Sequence, residues 1–439
     1  MKVVYDITVL GQGYNKQLSR TGVYRMVEAI GKGLAGSTEC ALRFYSNTNL
    51  RTVLDCAEYL SGQPTFNNVP FLPMLPFRIK PGQPKNKSDI LPNLKDLLQK
   101  GGVSDVVYNL KLGKRLKRYI KRQSKKNLIS FNNFVTDKII LRQTEIYHSP
   151  FLQIPGYIRE HSEIKTFLTV CDLIPVLYPQ FFTNNVASPV MIALANLTKK
   201  DWIICISEST RNDLLNNFPI MPEQTFVTPL AASPDIFYPQ YDTEILSLVK
   251  QKYGIPSGKY ILSVNTLEPR KNTKRVIEAF NKLLNQERTE DLYLVLVGAN
   301  GWLNTDIIKA IELSNSGEKR VIVTGYAADE DLAALYSGAL AFLYPSIYEG
   351  FGLPPLEAMQ CGIPVITSNT SSLPEVVGDA GIMIDPTDVD LICQNMLKLY
   401  RDPELRKTLS EKSIVQAKKF SWENCIKKTL DAYKFALLN

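Results

Sequence analysis

The sequence predicts an α/β protein built on parallel sheets and divided into two domains. Three observations carry that prediction. The chain has 439 residues, more than one ordinary hydrophobic core organises. Apolar runs of strand length alternate with helix-length amphipathic segments, the pattern of βαβ units. A stretch rich in Pro and Ser, VTPLAASPDIFYPQ (227–240), separates a looser first half from a regular second half.

In the first half the predicted strands are VVYDITVL (3–10), EIYHS (145–149), KTFLTVCD (165–172) and WIICIS (202–207). Residues 62–93 hold many Pro, Gly and Asn and read as a long loop. In the second half YILSVN (260–265) is a strand and TKRVIEAFNKLLNQ (273–286) an amphipathic helix. LYLVLVG (292–298), RVIVTG (320–325), LAFLYPS (340–346), PVITS (364–368) and AGIMID (380–385) are further strands, with helices between them. Such a unit binds ligands at the carboxyl ends of its strands. The predicted domains are 1–238 and 239–420, with the final helical segment, 421–439, packing back on the first.

Hydrophobic residues make up 45% of the chain and charged residues 21%, a globular composition that excludes the disordered and fibrous classes. Seven scattered cysteines, no C-x-x-C and only His148 and His161 leave no zinc spacing to build, and they predict a reduced, cytoplasmic protein. The opening MKVVYDITVL carries Asp6 in its apolar run and reads as a strand, not a signal peptide. The longest uncharged stretch, 173–198, contains three prolines and does not suit a membrane-spanning helix.

The net charge of +8 is mild, so its placement matters more than its size. Lys or Arg recurs from 111 to 126, while Leu112, Leu116, Tyr119 and Ile120 share one helical stripe. Segment 107–126 therefore reads either as a basic helix on an anionic membrane surface or as a solvated helix packed on its own domain. Nucleic acid is not an expected partner, because no recognisable module is present and aromatics do not interleave with the lysines.

The chemistry concentrates in two stretches. IYEGFGLPPLEAM (347–359) places Glu349 and Glu357 on either side of Gly350, Phe351, Gly352 and Leu353. The glycines let the backbone turn sharply and approach a ligand, and Pro354 or Pro355 suits the first turn of a helix. Loop N–H groups and a helix N-terminus favour an anion such as a phosphate. Glu357 is then placed to accept hydrogen bonds from a ribose diol and Glu349 from a second polyol; alternatively Glu357 merely complements the helix dipole. The second stretch, LEPRKN (267–272), follows a strand of the same sheet, and Arg270 and Lys271 beside a helix start suit a diphosphate.

The spacing Glu349–x7–Glu357, within PSIYEGFGLPPLEAMQCGIPVITSNTSSLPEVVGDAGIMIDP, closely resembles the donor site of family 4 of the retaining glycosyltransferases. TLEPRKN, LVGANGW (296–302) and TGY (324–326) resemble the same family in order and spacing. RTGVYR (20–25), VCDLIPVLYPQFF (170–182), CISESTRNDL (205–214) and VTPLAA (227–232) are weaker counterparts, and the likeness fades between about 40 and 140. The resemblance implies the GT-B fold, two Rossmann-like domains whose parallel sheets face each other across a cleft, with a C-terminal helix crossing back.

The resemblance also implies roles. Arg270 and Lys271 bind the donor diphosphate and stabilise the leaving group. Glu357 holds the nucleotide ribose. Glu349, with the N–H groups of Phe351, Gly352 and Leu353, holds the donor sugar. Tyr326 contacts the base, and Gly22 approaches donor or acceptor from the first domain. No metal or other cofactor is expected, because this fold type requires no D-x-D motif.

Two positions depart from the family pattern. Cys171-Asp172 stands where His-Asp is common, which implies a different donor sugar, a role taken over by Asp172, or lost activity. His148, at the end of another strand, is a candidate to reach the cleft or a structural histidine. Asn265-Thr266 replaces a common Gly-Arg, with Arg270 as the substitute cation.

The expected function is transfer of a hexose, with GDP-mannose the expected donor, to a polysaccharide or lipid-linked glycan at or near the inner face of the membrane. The alternatives are a non-catalytic nucleotide-sugar-binding partner subunit and a sugar-nucleotide epimerase of the same fold.

Overall fold

The computed structural model describes residues 1–14, 22–46, 50–73, 143–182, 188–287, 289 and 291–439. The basic segment 107–126, with its membrane-surface reading, lies outside the described residues. The chain forms two compact units. One is Met1–Thr169 with Ala193–Ile203 and Thr429–Asn439; the other is Val170–Ile192 with Ile204–Lys428.

The first sheet contains β1 (Lys2–Asp6), β2 (Ala41–Ser46), β3 (Phe71–Pro73), β4 (Ile146–Ser149), β5 (Lys165–Val170), β6 (Trp202–Cys205) and β7 (Thr225–Val227). Their order is β3-β2-β1-β4-β5-β6-β7. The pairings β1–β2, β1–β4, β2–β3 and β4–β5 are parallel. Strands β2, β3 and β7 were not among the predicted ones. Two of them are only three residues long, and β2 carries Arg43 between its apolar residues, so neither length nor a continuous apolar run announces them. Part of the predicted 62–93 loop is therefore structured, as the turn Pro64–Phe66 and β3.

His148 sits on β4 and is fully buried. Its Nδ1 lies 2.6 Å from the Tyr433 hydroxyl and its Nε2 lies 2.7 Å from Thr169 Oγ1. Burial lowers its pKa to about 3, so the ring is neutral. Of the two sequence readings of His148, the structure supports the satisfied core histidine. Tyr433 belongs to the final helix, Trp422–Leu438, whose last turns are counted in this unit.

The second sheet contains β8 (Lys259–Val264), β9 (Leu292–Val297), β10 (Val321–Gly325), β11 (Ala341–Tyr344), β12 (Val365–Ser368) and β13 (Ile382–Ile384). Its order is β10-β9-β8-β11-β12-β13 and all five pairings are parallel. Every one of these strands falls on a predicted run. The central strands are buried along almost their whole length, as expected where helices cover both faces.

Helix Thr273–Gln286 buries Val276, Ile277, Phe280 and Leu283 against this sheet. Helix Val389–Arg401 buries Ile392, Cys393, Met396 and Leu399 in the same core. Those positions recur every three or four residues, so each helix offers one apolar stripe. Burying each large side chain stabilises the fold by about 1.5–3 kcal/mol before entropy is counted. Asp388 caps the second of these helices, its carboxylate accepting from Leu391 N–H at 2.8 Å.

Candidate active site

In a doubly wound sheet the crevice lies where the strand order reverses direction. Here that point falls between β8 and β11. The loops leaving those two strands are 265–272 and 345–352, the two stretches singled out in the sequence.

The loops are stitched together by backbone and side-chain bonds. Ile347 N–H donates to Arg270 O at 2.9 Å, and Asn272 Nδ2 donates to Pro345 O (3.0 Å) and Pro386 O (2.6 Å). Asn272 has φ +62°, a left-handed conformation that a short polar side chain tolerates better than most. It ends the turn Pro269–Lys271 and leads into helix Thr273–Gln286.

Arg270, Lys271 and Glu349 meet in one buried cluster. Glu349 Oε1 accepts from Lys271 Nζ (2.5 Å), Ser346 Oγ (2.6 Å), Arg270 Nη1 (2.8 Å) and Tyr344 OH (2.9 Å). Arg270 Nη2 also donates to Glu268 Oε1 at 2.5 Å, and its Nη1 to Tyr348 O at 2.7 Å. Burial opposes the Glu349 charge, but Arg270 and Lys271 outweigh it and bring its pKa down to about 2. Burial likewise works against Arg270, and the carboxylates of Glu349 and Glu268 more than compensate, so its pKa is raised. For Lys271, burial and the neighbouring Arg270 charge lower the pKa against the pull of Glu349. Tyr344 is pushed up by burial and by Glu349, so it remains a neutral donor.

Asp172 lies within the field of this cluster. Its pKa is raised by burial, with the Ile174 N–H bond (3.0 Å) and Arg270 pulling it down. The neighbouring Cys171 is buried, and its thiol is pushed up by loss of solvent, so it is neither a charge nor a ready nucleophile. Segment 171–172 meets the glycine loop by direct backbone packing. A Cβ on Gly350 would lie 2.0 Å from Cys171 O, so no other residue fits there. Ser207 Oγ (2.7 Å) and Thr210 Oγ1 (3.2 Å) both donate to Gly350 O.

Gly352 has φ +112° and is the N-cap of helix Leu353–Gln360, with Pro354 in its first turn. The first helical bond runs from Leu356 N–H to Gly352 O at 3.2 Å, so the N–H groups of Phe351, Gly352 and Leu353 precede it. Phe351 is buried, its ring edge-on to Phe420 at 5.8 Å between centroids. Glu357 is also buried on this helix, and its Oε2 accepts from Tyr336 OH at 2.8 Å.

Tyr326 follows β10 at the carboxyl end of the same sheet and is 43% exposed. Gly22 opens helix Gly22–Gly36 in the other unit and is exposed. The structure thus brings Arg270, Lys271, Glu349 and Asp172 together. It places Phe351, Gly352, Leu353 and Glu357 on the adjoining loop and helix. Sequence reasoning missed Glu268, Tyr344, Ser346, Ser207 and Thr210. Glu268 was legible in LEPRKN as a carboxylate two residues before a cation. The hydroxyls carried no signal, because their role depends on which strand ends become neighbours.

Known proteins resemble this chain in both sequence and fold. The family described as glycosyl transferases group 1 matches residues 248–416. O-antigen chain mannosyltransferase B of Escherichia coli is 37% identical over 290 residues, covering 66% of this chain and 74% of that protein. The serotype-specific mannosyltransferase WbdA of Escherichia coli is 34% identical over 273 residues, covering 61% of this chain and 33% of WbdA, so the match spans about a third of that longer protein. Among solved structures, sucrose-phosphate synthase from Thermosynechococcus elongatus superposes with a TM-score of 0.62 at 19% identity, covering 99% of this chain and 98% of that one. At that identity the likeness speaks for the fold alone.

The two parallel sheets and the shared fold make this an α/β protein of the GT-B class. The chain belongs to the group 1 glycosyltransferases, and it is a transferase of glycosyl groups.

Proposed function

We propose that the protein transfers a hexose, with mannose from GDP-mannose as the leading candidate, to a growing polysaccharide or lipid-linked glycan, with retention at the anomeric carbon. One observation carries the reading: the cation pair Arg270–Lys271 and the Glu349 loop leave adjacent strands at the reversal point of the second sheet. The mannosyltransferase names of two relatives favour mannose.

On this reading Arg270 and Lys271 take the donor diphosphate. Transfer puts negative charge on the departing phosphate, and cations fixed beforehand in a water-poor site are the main lever on that charge. Glu349 and the N–H groups of Phe351, Gly352 and Leu353 take the sugar, Glu357 the ribose, and Tyr326 the base. Gly22 serves the donor or acceptor from the first domain. Asp172 tunes the charge of the cluster in place of the common histidine. The reading involves no metal, with Arg270 and Lys271 as the groups that contact the diphosphate. Residues 1–238 bind the acceptor and 239–420 the donor.

Among the described residues no helix is long and apolar enough to cross a membrane. A cytoplasmic enzyme resting on the inner membrane face through 111–126 fits a lipid-linked acceptor.

The test is donor turnover. The protein is incubated with GDP-mannose, UDP-glucose, UDP-N-acetylglucosamine and dTDP-rhamnose, with and without a membrane-lipid extract, and released nucleoside diphosphate is measured. Release from GDP-mannose that disappears in Glu357→Ala and Lys271→Ala supports the reading. Release from another donor replaces the sugar. No release from any donor with lipid present removes the reading.

A further inference from the structure

We propose that Glu268 is a positioning residue for transfer: it fixes the Arg270 guanidinium from behind and sets how tightly the cation pair holds the nucleoside diphosphate after transfer. The proposal rests on the diphosphate reading of Arg270 and Lys271.

The cluster holds opposing charges. Arg270 and Lys271 bring two positive charges, and Glu349 and Glu268 bring two negative ones. These two pairs of charges cancel, and Asp172 lies in the same field, so the cations have little excess charge to offer a diphosphate. Glu349 anchors both cations and is on the sugar side of the proposed site. Glu268 is different: it is 2% exposed, and its carboxylate binds Arg270. It is more enclosed than Glu349 and Glu357, and on this proposal it acts through the guanidinium.

Two effects follow from that contact. A guanidinium is a rigid planar fork, so holding Nη2 at 2.5 Å fixes where its remaining N–H groups point. The carboxylate also subtracts one charge from the potential felt by a bound anion. A site for a leaving diphosphate gains little from holding the free product strongly, since release then limits turnover. A buried carboxylate at the back of the cation pair weakens product binding without touching the product.

Glu268→Gln separates these effects, because the amide oxygen still accepts from Arg270 while the charge is gone. Binding of GDP and of UDP to the full chain is measured by titration calorimetry for the wild type, Glu268→Gln and Arg270→Ala. Glu268→Gln is expected to bind the diphosphate about tenfold more tightly. With the donor that the wild type turns over, kcat and KM should fall together. A merely structural role would weaken binding instead. Unchanged or weaker diphosphate binding in Glu268→Gln, with binding still lost in Arg270→Ala, overturns the role of Glu268 alone. Failure of both GDP and UDP to bind the wild type overturns the diphosphate reading and this proposal with it. If Glu268→Gln does not fold by circular dichroism, Glu268→Asp decides. It keeps the charge and shortens the reach, so diphosphate affinity should stay near the wild-type value while kcat drops. Affinity that rises, or kcat that does not change, would overturn the proposal.

Discussion

The two sheets reverse strand order at equivalent places, β1 beside β4 in one and β8 beside β11 in the other, yet the chemistry at the two points differs. At β8 and β11 two cations share carboxylates inside a packed cluster. At β1 and β4 the carboxylate is Asp6. Asp6 accepts from Thr8 N–H (2.8 Å) and Tyr147 OH (3.0 Å), and burial raises its pKa. Among the described residues no Lys or Arg pairs with Asp6. Topology makes a place for a ligand in both sheets, but side chains decide which ligand it favours. On the proposed reading the second place takes the donor diphosphate, whereas Asp6 at the first has hydroxyl and N–H partners only.

The largest break in that contrast should come from Lys271→Ala. Losing one preorganised donor to a leaving oxygen costs about 2.7–4 kcal/mol, or roughly 100- to 1000-fold in kcat. Released nucleoside diphosphate reads this out, and unchanged turnover would remove Lys271 from the site. Gly350→Ala comes next. Its new methyl has no room against Cys171 O, so the chain should lose about 1–3 kcal/mol of stability, seen as a lower Tm. A wild-type Tm would mean that the loop shifts easily.

Asp6→Asn sharpens the contrast from the other side. It should leave GDP and UDP affinity within about twofold of wild type, because Asp6 shares no partner with Arg270 or Lys271. A large loss would show that the two reversal points are not chemically separate.

A pH slope probes the core beneath the first reversal point. His148 is neutral in the fold, with its pKa lowered to about 3, whereas an unfolded histidine titrates near 6.5. The unfolded chain therefore takes up a proton first, and stability falls as pH drops from about 6.5 toward 3. Glu349 adds its own loss only below about 4.5, as pH approaches its folded value of about 2. Asp6 and Asp172, both raised, work in the opposite sense. The clean measurement is thus the difference between wild type and His148→Asn. Between pH 7 and 5 the variant's Tm should fall less steeply, and equal slopes would mean that His148 takes up its proton as readily in the fold as in the unfolded chain.

The second sheet was legible in the sequence because its strands are continuous apolar runs broken by glycine and proline. The glycine–proline loop between Glu349 and Glu357 was legible for the same reason: Gly352 takes a left-handed φ and Pro354 sits in the first turn, as punctuation of that kind demands. The first sheet was read only in part, because β3 and β7 are too short to show a period. The site's charges were legible as residues but not as partners. Arg270 and Lys271 looked like free cations awaiting a phosphate, and nothing in their spacing from Glu349 says that a carboxylate already lies 2.5 Å from Lys271 Nζ. That contact exists because β8 and β11, 77 residues apart between Val264 and Ala341, become neighbours.

One oxygen of Glu349 receives four donors from the turn and strand around it. A carboxylate tethered so heavily at one end cannot swivel to greet a hydroxyl arriving from a new angle. On the proposed reading, such a group distinguishes sugars by handedness at a carbon and not by bulk. Two epimers of equal size would present their hydroxyls in different directions, and a fixed acceptor rewards only one. Tolerance for other donors should then rise when the tether is loosened, as in Ser346→Ala, and the stereochemical filter would prove to be a property of the anchoring and not of the carboxylate itself.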